Sequence, residues 1–298
     1  MPINLDLTNN SKRLLALASA VGLAVGGGGA AVAQSSATGS MNSMQAATYA
    51  DLVTLSEQSD MVIRAKIRRQ TEVDPVRAPG LKPGFARLFI EAETMALISG
   101  DTTIGEDIVY LVDVPRDAKG KVPKLKKREF ILFANALPNR PITKRGQEIQ
   151  LADPDAQIAY TPEFEQRVRP VLTSLASGRV PPRITGVADA LAVEGTLAGE
   201  SETQIFLETA DRSPVSISVL RRPGQNPVWG VSWGEIIDSS ARAPRALSLD
   251  WYRLACSLPT ELPSSANLAR DPQARRLAAS DYGFVMSQLG PCTRVLTD

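Results

Sequence analysis

Ser232 is the residue whose surroundings most resemble a catalytic motif. Residues 230–234 read Gly-Val-Ser-Trp-Gly, which matches the G-x-S-x-G elbow that presents the nucleophile of many serine hydrolases. That chemistry needs an imidazole as its base, and the 298-residue chain contains no histidine. An elbow also needs a sharp turn at the serine, whereas a strand-like alternation runs unbroken from Trp229 through Trp233. The pattern therefore predicts a strand with tryptophans on one face and Ser232 among glycines on the other.

This strand is a candidate for binding. The small residues beside Ser232 would let a flat ligand approach the backbone closely, and Trp229 and Trp233 could stack on a sugar or a peptide. The alternative is structural: both tryptophans belong to a core, and the glycines pack against a neighbouring strand or helix. In either case we expect the strand to lie at the centre of its domain.

Two pairs of charged residues provide a second set of candidates. Glu200 and Glu202 share one loop, and Arg221 and Arg222 lie where a later strand ends and turns. Paired carboxylates about 5–9 Å apart act as acid and base in glycosidases. Such pairs are also common on the exposed faces of sheets. We therefore treat these four residues as candidate binding residues and assign no catalytic residue.

The composition argues against metal and cofactor chemistry. Zinc, copper and haem sites normally draw on histidine or free cysteine, and the chain has no histidine and two cysteines. The mature chain contains neither a P-loop nor a dinucleotide fingerprint. We predict no metal and no cofactor.

The two cysteines, Cys256 and Cys292, are too far apart in sequence for a C-x-x-C redox motif. In an exported protein they predict one disulfide. A bond closing a loop of this length would stabilise the fold by roughly 3–4 kcal/mol in the loop-entropy model. A free, reactive pair is the alternative.

The first 33 residues have the organisation of a secretory signal. Lys12 and Arg13 precede a short apolar run, and Ala31-Val-Ala33 forms an A-x-A end. We predict cleavage after Ala33 and a periplasmic or secreted mature protein. An uncleaved anchor is the alternative, because residues 14–33 carry no charge. No later segment is long and apolar enough to be a transmembrane helix.

Charge limits the range of partners. The 33 basic and 32 acidic residues become 31 of each once Lys12, Arg13 and Asp6 are removed with the signal. This neutral balance argues against a nucleic-acid binder. One basic loop could contact an anionic surface, or it could be a solvated hairpin tip that prevents edge aggregation. Its charged residues are Lys119, Lys121, Lys124, Lys126, Lys127 and Arg128.

The first half of the mature chain predicts a small barrel. A capping-box variant at residues 48–51 predicts a short helix, and alternating patterns follow at 61–68 and 85–98. Residues 108–112 are apolar on both faces and predict a central strand, and a fourth strand is predicted at 130–134. A short fifth strand is predicted at 148–151. Five such strands favour a closed or nearly closed barrel.

This region also resembles a known class of module. The carrying segments are Asp51-Leu-Val, residues 59–63, a long strand ending in Leu-Ile-Ser-Gly at 97–100, residues 108–112 and residues 129–133. Their order is similar to exported OB-fold, netrin-like modules over residues 48–152. The usual cysteines of extracellular netrin-like domains are absent, so protease inhibition is not implied. The whole chain also resembles exported alphaproteobacterial proteins, a resemblance that implies no activity.

The second half predicts helix, sheet and then helix again. A helix is expected from Pro162, with Pro170 kinking or splitting it. Residues 184–193 suit helix or strand, because they are rich in alanine. A hairpin around residues 210–213 leads into the strand at 229–237, giving a three-stranded meander. Ser248 and Asp271 begin two final helices.

These patterns predict an α+β protein of mostly β character. The expected regions are a signal at 1–33, a flexible segment at 34–47, an OB-like β-barrel at 48–152, a helical linker at 153–180, an antiparallel β-domain at 181–240 and a disulfide-bonded helical region at 241–298. The leading hypothesis is a non-catalytic, exported binding protein whose partner is an envelope protein or polysaccharide. The alternative is a histidine-independent hydrolase that uses carboxylates or serine on a glycan or peptide.

Overall fold

The structure is a computed structural model that describes residues 47–137, 140, 142–234 and 241–297. The predicted signal therefore lies outside the described residues, as does the predicted flexible segment at 34–47 except for Ala47, which is buried. Residues 235–237, the end of the strand that the sequence pattern predicts from Trp229, also lie outside them.

The barrel is built from five strands that close on themselves. They follow the order β1-β2-β3-β5-β4, and an antiparallel pairing of β1 with β4 completes the circle. All neighbouring pairs are antiparallel except β3 and β5. The expected barrel is confirmed. A short sixth strand pairs antiparallel with residues 130–132 of β4. The strands are β1 Met61–Glu72, β2 Phe85–Ser99, β3 Asp107–Pro115, β4 Glu129–Ala136, β5 Gln147–Leu151 and β6 Gln157–Ala159.

Alternation fills the barrel interior. Every second residue of β2 between Ala86 and Ala92 points inward and is buried, as the pattern predicts. Tyr110 lies fully buried in this interior, and its hydroxyl donates to Oε1 of Gln157 at 2.7 Å. Burial raises the pKa of this phenol above its ordinary value. The interior is therefore apolar around one satisfied hydroxyl group.

Two helices flank the barrel in sequence. Helix α1 spans Tyr49–Gln58, and the predicted capping box is present, with reciprocal bonds between Thr48 and Asp51. Helix α2 spans Pro162–Ala176 and is capped by Thr161. It continues as one helix through Pro170, so the predicted split does not occur. A short 3-10 turn, Pro75–Arg77, lies between β1 and β2.

The second sheet is a four-stranded antiparallel meander in the order β10-β9-β8-β7. The ambiguous segment after Ile184 is a strand, so the sheet has one strand more than the predicted meander. The sequence pattern predicts a central position for the strand carrying Ser232, and this is wrong, because β10 lies at the sheet edge. The strands are β7 Ile184–Glu194, β8 Ser201–Thr209, β9 Val215–Arg221 and β10 Val228–Trp233.

The chain ends in two helices, α3 Leu249–Ala255 and α4 Pro272–Leu289, separated by a 3-10 turn at Ser264–Ala266. The predicted disulfide joins Cys256 to Cys292. The indole of Trp251 donates to the carbonyl of Leu289 at 2.8 Å, a second link between the helices. Within the described part of the chain, no helix is both long enough and apolar enough to cross a membrane.

A second core lies outside the barrel. It combines outward residues of β1 and β4, such as Val62 and Phe133, with all four helices and one face of the second sheet. A buried arginine on α3, Arg253, crosses this core and forms an ion pair with Glu57 of α1. The helices therefore connect the barrel wall to the sheet.

Candidate binding site

A groove of about 1130 Å³ opens on the side of the barrel between β3 and β5. This volume exceeds that of most small-ligand pockets, which occupy about 300–1,000 Å³. The groove extends from the ends of β1 and β2 across β3 to β5. It is also bordered by the loops that join β1 to β2 and β4 to β5.

The groove exists because β3 and β5 pair over only two residues. Parallel pairing joins Ile108 to Gln147 and Val109 to Glu148, whereas β2 pairs with β3 along the whole of β3. Gly146 fixes the meeting point. It has φ 129°, and a Cβ there would lie 2.6 Å from the carbonyl carbon of Asp107. The two strands touch at this end and separate beyond it.

The floor of the groove carries an apolar pair. Phe89 and Leu111 are directly opposite each other on β2 and β3, on the outer face of the barrel. Leu111 is 50% exposed although it lies in the middle of a paired strand. The guanidinium of Arg145 lies 5.9 Å from the centre of the Phe89 ring, at the outer limit for a cation–π contact.

The rim of the groove carries charges of both signs, most of them paired. Arg87 and Asp113 form a bidentate ion pair, with Nε–Oδ1 at 2.7 Å and Nη2–Oδ2 at 2.8 Å. The hydrogen bond to Asp113 raises the pKa of Arg87. Arg140 lies 3.5 Å from Glu148. Arg145, by contrast, has no ion-pair partner among the residues that the structure describes. It is therefore available to a ligand.

This arrangement is suited to binding. An apolar platform surrounded by guanidinium and carboxylate groups offers contact area together with oriented donors and acceptors. Within the described ranges, no group of three or more His, Cys, Asp or Glu side chains could hold a metal ion.

The sequence-predicted strand offers much less access. Ser232 is 3% exposed, and Trp229 belongs to the second core. A Cβ on Gly230 would lie 2.6 Å from the carbonyl oxygen of Ala241, so the chain's own backbone occupies the small face. The amide of Val231 donates to the carbonyl of Arg242 at 3.2 Å. The close approach that the glycines allow is thus made by the protein itself.

The candidate charged residues are divided between the two faces of the second sheet. Glu202 lies on the outer face and accepts a hydrogen bond from Gln204 at 2.8 Å. Arg221 lies on the helix-covered face, where its Nε donates to buried Asp281 at 2.6 Å. Thr203 donates to the same carboxylate at 2.5 Å.

The remaining candidates lie apart from these. The carboxylate of Glu200 accepts from the amide of Leu197 at 3.3 Å within its own loop, and Arg222 is exposed in the turn after β9. Trp233 is half-buried at the end of β10. The structure therefore does not bring the predicted binding residues together into one site.

The basic loop between β3 and β4 is held firmly against the barrel. Leu125 is buried and its amide donates to Oε1 of Gln70 at 2.6 Å, while Nε2 of Gln70 donates to the carbonyl of Pro123 at 2.9 Å. The lysines between residues 119 and 127 are exposed. The predicted contact with an anionic surface remains a prediction.

Sequence reasoning missed the groove. In the sequence, Leu111 appears inside an apolar run that predicts burial on both faces. The structure shows that its strand is fully paired on only one side, which the sequence does not indicate. Arg145 stands in a loop with no pattern that links it to Phe89. No protein-family model matches the chain, and no curated protein matches it.

Proposed function

We propose that this protein is a non-catalytic binding protein whose ligand occupies the groove beside β3. The observation that carries the proposal is the exposed apolar pair, Phe89 and Leu111, at the centre of a charged rim. An exposed apolar surface in a concave site costs free energy in water unless a ligand covers it.

The architecture supports the same proposal. Five-stranded barrels of the OB type bind oligosaccharides and oligonucleotides across strands 2 and 3, with help from the loops after strands 1 and 4. The groove borders those same elements. Its mixed charges and the neutral balance of the mature chain argue for an envelope protein or polysaccharide and against a nucleic acid. The resemblance to OB-fold, netrin-like modules is part of this proposal.

Export is also part of the proposal. The basic, apolar and A-x-A pattern of the first 33 residues supports a signal cleaved after Ala33, with a periplasmic or secreted mature protein. The bond between Cys256 and Cys292 supports an oxidising compartment, since disulfides are rare in reducing ones.

The hydrolase alternative has weaker support. Ser232 is buried beneath backbone, and Glu200 and Glu202 each accept bonds within their own segments. A nucleophile has to reach substrate, which burial denies to Ser232, and Glu202 lies on the exposed outer face of the sheet while Glu200 is bonded within its own loop.

A retention experiment tests the proposal. The mature protein is immobilised beside the double variant Phe89→Ala/Leu111→Lys and the control Leu191→Lys, which changes an exposed leucine on the second sheet. Each is incubated with detergent-solubilised envelope extract, and the retained proteins and glycans are identified. We expect a component that binds the wild type and the control but not the groove variant. Identical retention by all three would reject the groove as the binding site.

A further inference from the structure

Strand β3 has one hydrogen-bonding edge that is left open. Its edge toward β2 is paired from Asp107 to Pro115, but its edge toward β5 is paired only at Ile108 and Val109. An open strand edge is a template for pairing with another extended chain. Which backbone groups are free depends on the alternation of the ladder.

The bonds at the two ends of the β2–β3 ladder fix that alternation. The amide of Thr94 donates to the carbonyl of Glu106 at 2.8 Å, and the amide of Arg116 donates to the carbonyl of Gly84 at 2.8 Å. In an antiparallel pair, residues that face the partner strand alternate with residues that face away. Both bonds join even-numbered residues, so the even-numbered residues of β3 face β2.

Leu111 and Asp113 therefore direct their N–H and C=O groups into the groove. Across the gap, the amide of Ala152 donates to the carbonyl of Phe133 at 2.9 Å, so residue 152 faces β4 and its neighbour Leu151 faces the groove. The β3 side of the groove thus presents backbone donors and acceptors at strand spacing, whereas Leu151 is the residue identified on the β5 side. No backbone bond joins these two sides in the described part of the chain.

We propose that the groove binds an extended polypeptide segment, which adds to the barrel as a strand along the open edge of β3 at Leu111 and Asp113. This inference rests on the proposed function, because it names the ligand class of the same groove. The bonds would run from backbone to backbone, as in other complexes formed by strand addition.

The side chains around the edge define the segment that fits. Residues on its outer face would lie beside Leu111, with Phe89 one strand further away, which favours long apolar side chains there. The unpaired guanidinium of Arg145 stands over Phe89 and favours an acidic side chain nearby. Asp113 is neutralised by Arg87 and would not repel an incoming backbone carbonyl.

A glycan fits this edge less well than a peptide. Sugars could stack on Phe89, but they do not present alternating amide and carbonyl groups at the repeat of a strand. Only a polypeptide satisfies the gap-facing groups of Leu111 and Asp113 in register.

The test uses selected peptides and individual amides. A random library of linear peptides of about ten residues, longer than an ordinary strand, is selected against the mature protein. The best binder is then remade with one backbone N-methyl group at each position in turn. We expect alternating sensitivity, because every second amide of a paired strand faces its neighbour. Methylation elsewhere should leave affinity nearly unchanged.

Amide hydrogen exchange provides the matching measurement on the protein. Saturating peptide should raise the protection of the Leu111 and Asp113 amides at least about tenfold, since a paired amide exchanges only when the structure opens. The amides of Tyr110 and Val112 face β2 already and serve as internal controls. If the peptide contacted only side chains, the protection of the Leu111 and Asp113 amides would not rise.

A variant pair checks the edge itself. Leu111→Pro removes a gap-facing amide without removing a bond to β2, whereas Leu111→Ala keeps the amide and removes the apolar contact. We expect the proline variant to lose binding and the alanine variant to keep part of it. Should the proline variant fail to fold, the N-methyl scan and the exchange data still decide.

Failure of this inference can be told apart from failure of the proposed function. A library without binders, or binders insensitive to N-methylation, overturns strand addition. If the envelope extract still contains a component lost only from the groove variant, the groove remains a binding site for a different chemical class. If neither experiment finds a groove-dependent ligand, both proposals are rejected.

Discussion

The edge of β10 that faces away from β9 is covered by another segment of the chain, whereas most of the edge of β3 that faces away from β2 is uncovered. In the second sheet, the backbone at Ala241 and Arg242 packs against Gly230 and pairs with Val231. In the barrel, β3 separates from β5 beyond Val109, and its remaining edge faces a groove. The chain itself therefore covers the edge of β10, whereas the edge of β3 beyond Val109 remains accessible for binding.

The difference shows how the two regions are stabilised. The barrel closes through the pairing of five strands within residues 61–151. The second region depends instead on the packing of separate segments: residues 241–242 cover β10, and residues 295–297 donate to Asp51 of α1. Changes in the second region should therefore cost stability, whereas changes at the open edge should cost binding.

The largest effect is expected for Asp51→Asn. One carboxylate oxygen of Asp51 accepts from Thr48, and the other accepts from the amides of Leu296 and Thr297 at 3.1 and 3.0 Å. The side-chain amide of asparagine would have to place its NH2 group against one of these two sets of donors, where it cannot accept a hydrogen bond. We expect a loss of about 3 kcal/mol in the free energy of unfolding, measured by chemical denaturation. Asp211→Asn, at an exposed turn, is the control and should change stability little.

Acid should reproduce part of that loss in the wild type. Burial would raise the pKa of Asp51, but hydrogen bonds from Thr48, Thr297 and Leu296 outweigh it and hold the pKa below the ordinary 3.8. Because the folded-state pKa is the lower one, this stabilisation is present above about pH 4 and is lost as the pH falls through the folded value. The variant should show a flatter stability curve than the wild type below about pH 4. Parallel curves would contradict this role.

The next largest effect is expected for Gly230→Ala. A methyl group there collides with the backbone of Ala241, so we expect a destabilisation of about 2–3 kcal/mol. Gly283→Ala is the matched control. Gly283 lies inside α4 with open space where a Cβ would point, and alanine there should stabilise by up to about 1 kcal/mol. If both variants gained stability, the backbone at Ala241 would not be packed closely against Gly230.

The smallest effect on stability is expected at the open edge. Leu111→Thr should change the free energy of unfolding by no more than about 0.5 kcal/mol, because the side chain is half-exposed and threonine suits a strand. Val112→Thr, one residue along, should cost about 1–3 kcal/mol, since its side chain points into the barrel core. Equal costs at the two positions would show that Leu111 is a core residue.

Local pattern was enough to predict most of the elements. Alternation in β1 and β2, the caps at Thr48 and Asp271, and the cysteine pair were all read correctly from the residues. These features depend on neighbours in sequence, and their physics is the same in any fold. The alanine-rich segment of β7 was ambiguous because alanine suits helices as well as paired strands.

The position of β10 and the groove could not be predicted in the same way. Whether a strand lies at an edge depends on which other strands pair with it, and nothing within residues 228–233 encodes that. The groove depends on where β3 and β5 part, which is set by Gly146 against Asp107, nearly 40 residues apart in sequence. The ion pair of Arg221 with Asp281 is similarly non-local.

The carboxylate of Asp51 has a consequence for biosynthesis. Its donors at residues 295–297 follow Asp51 by 244–246 residues and are therefore synthesised long after α1. The barrel can form its ladders as soon as its strands have emerged, but α1 cannot complete these hydrogen bonds until residues 295–297 are made. Products truncated before residue 295 should therefore retain an incompletely packed first helix.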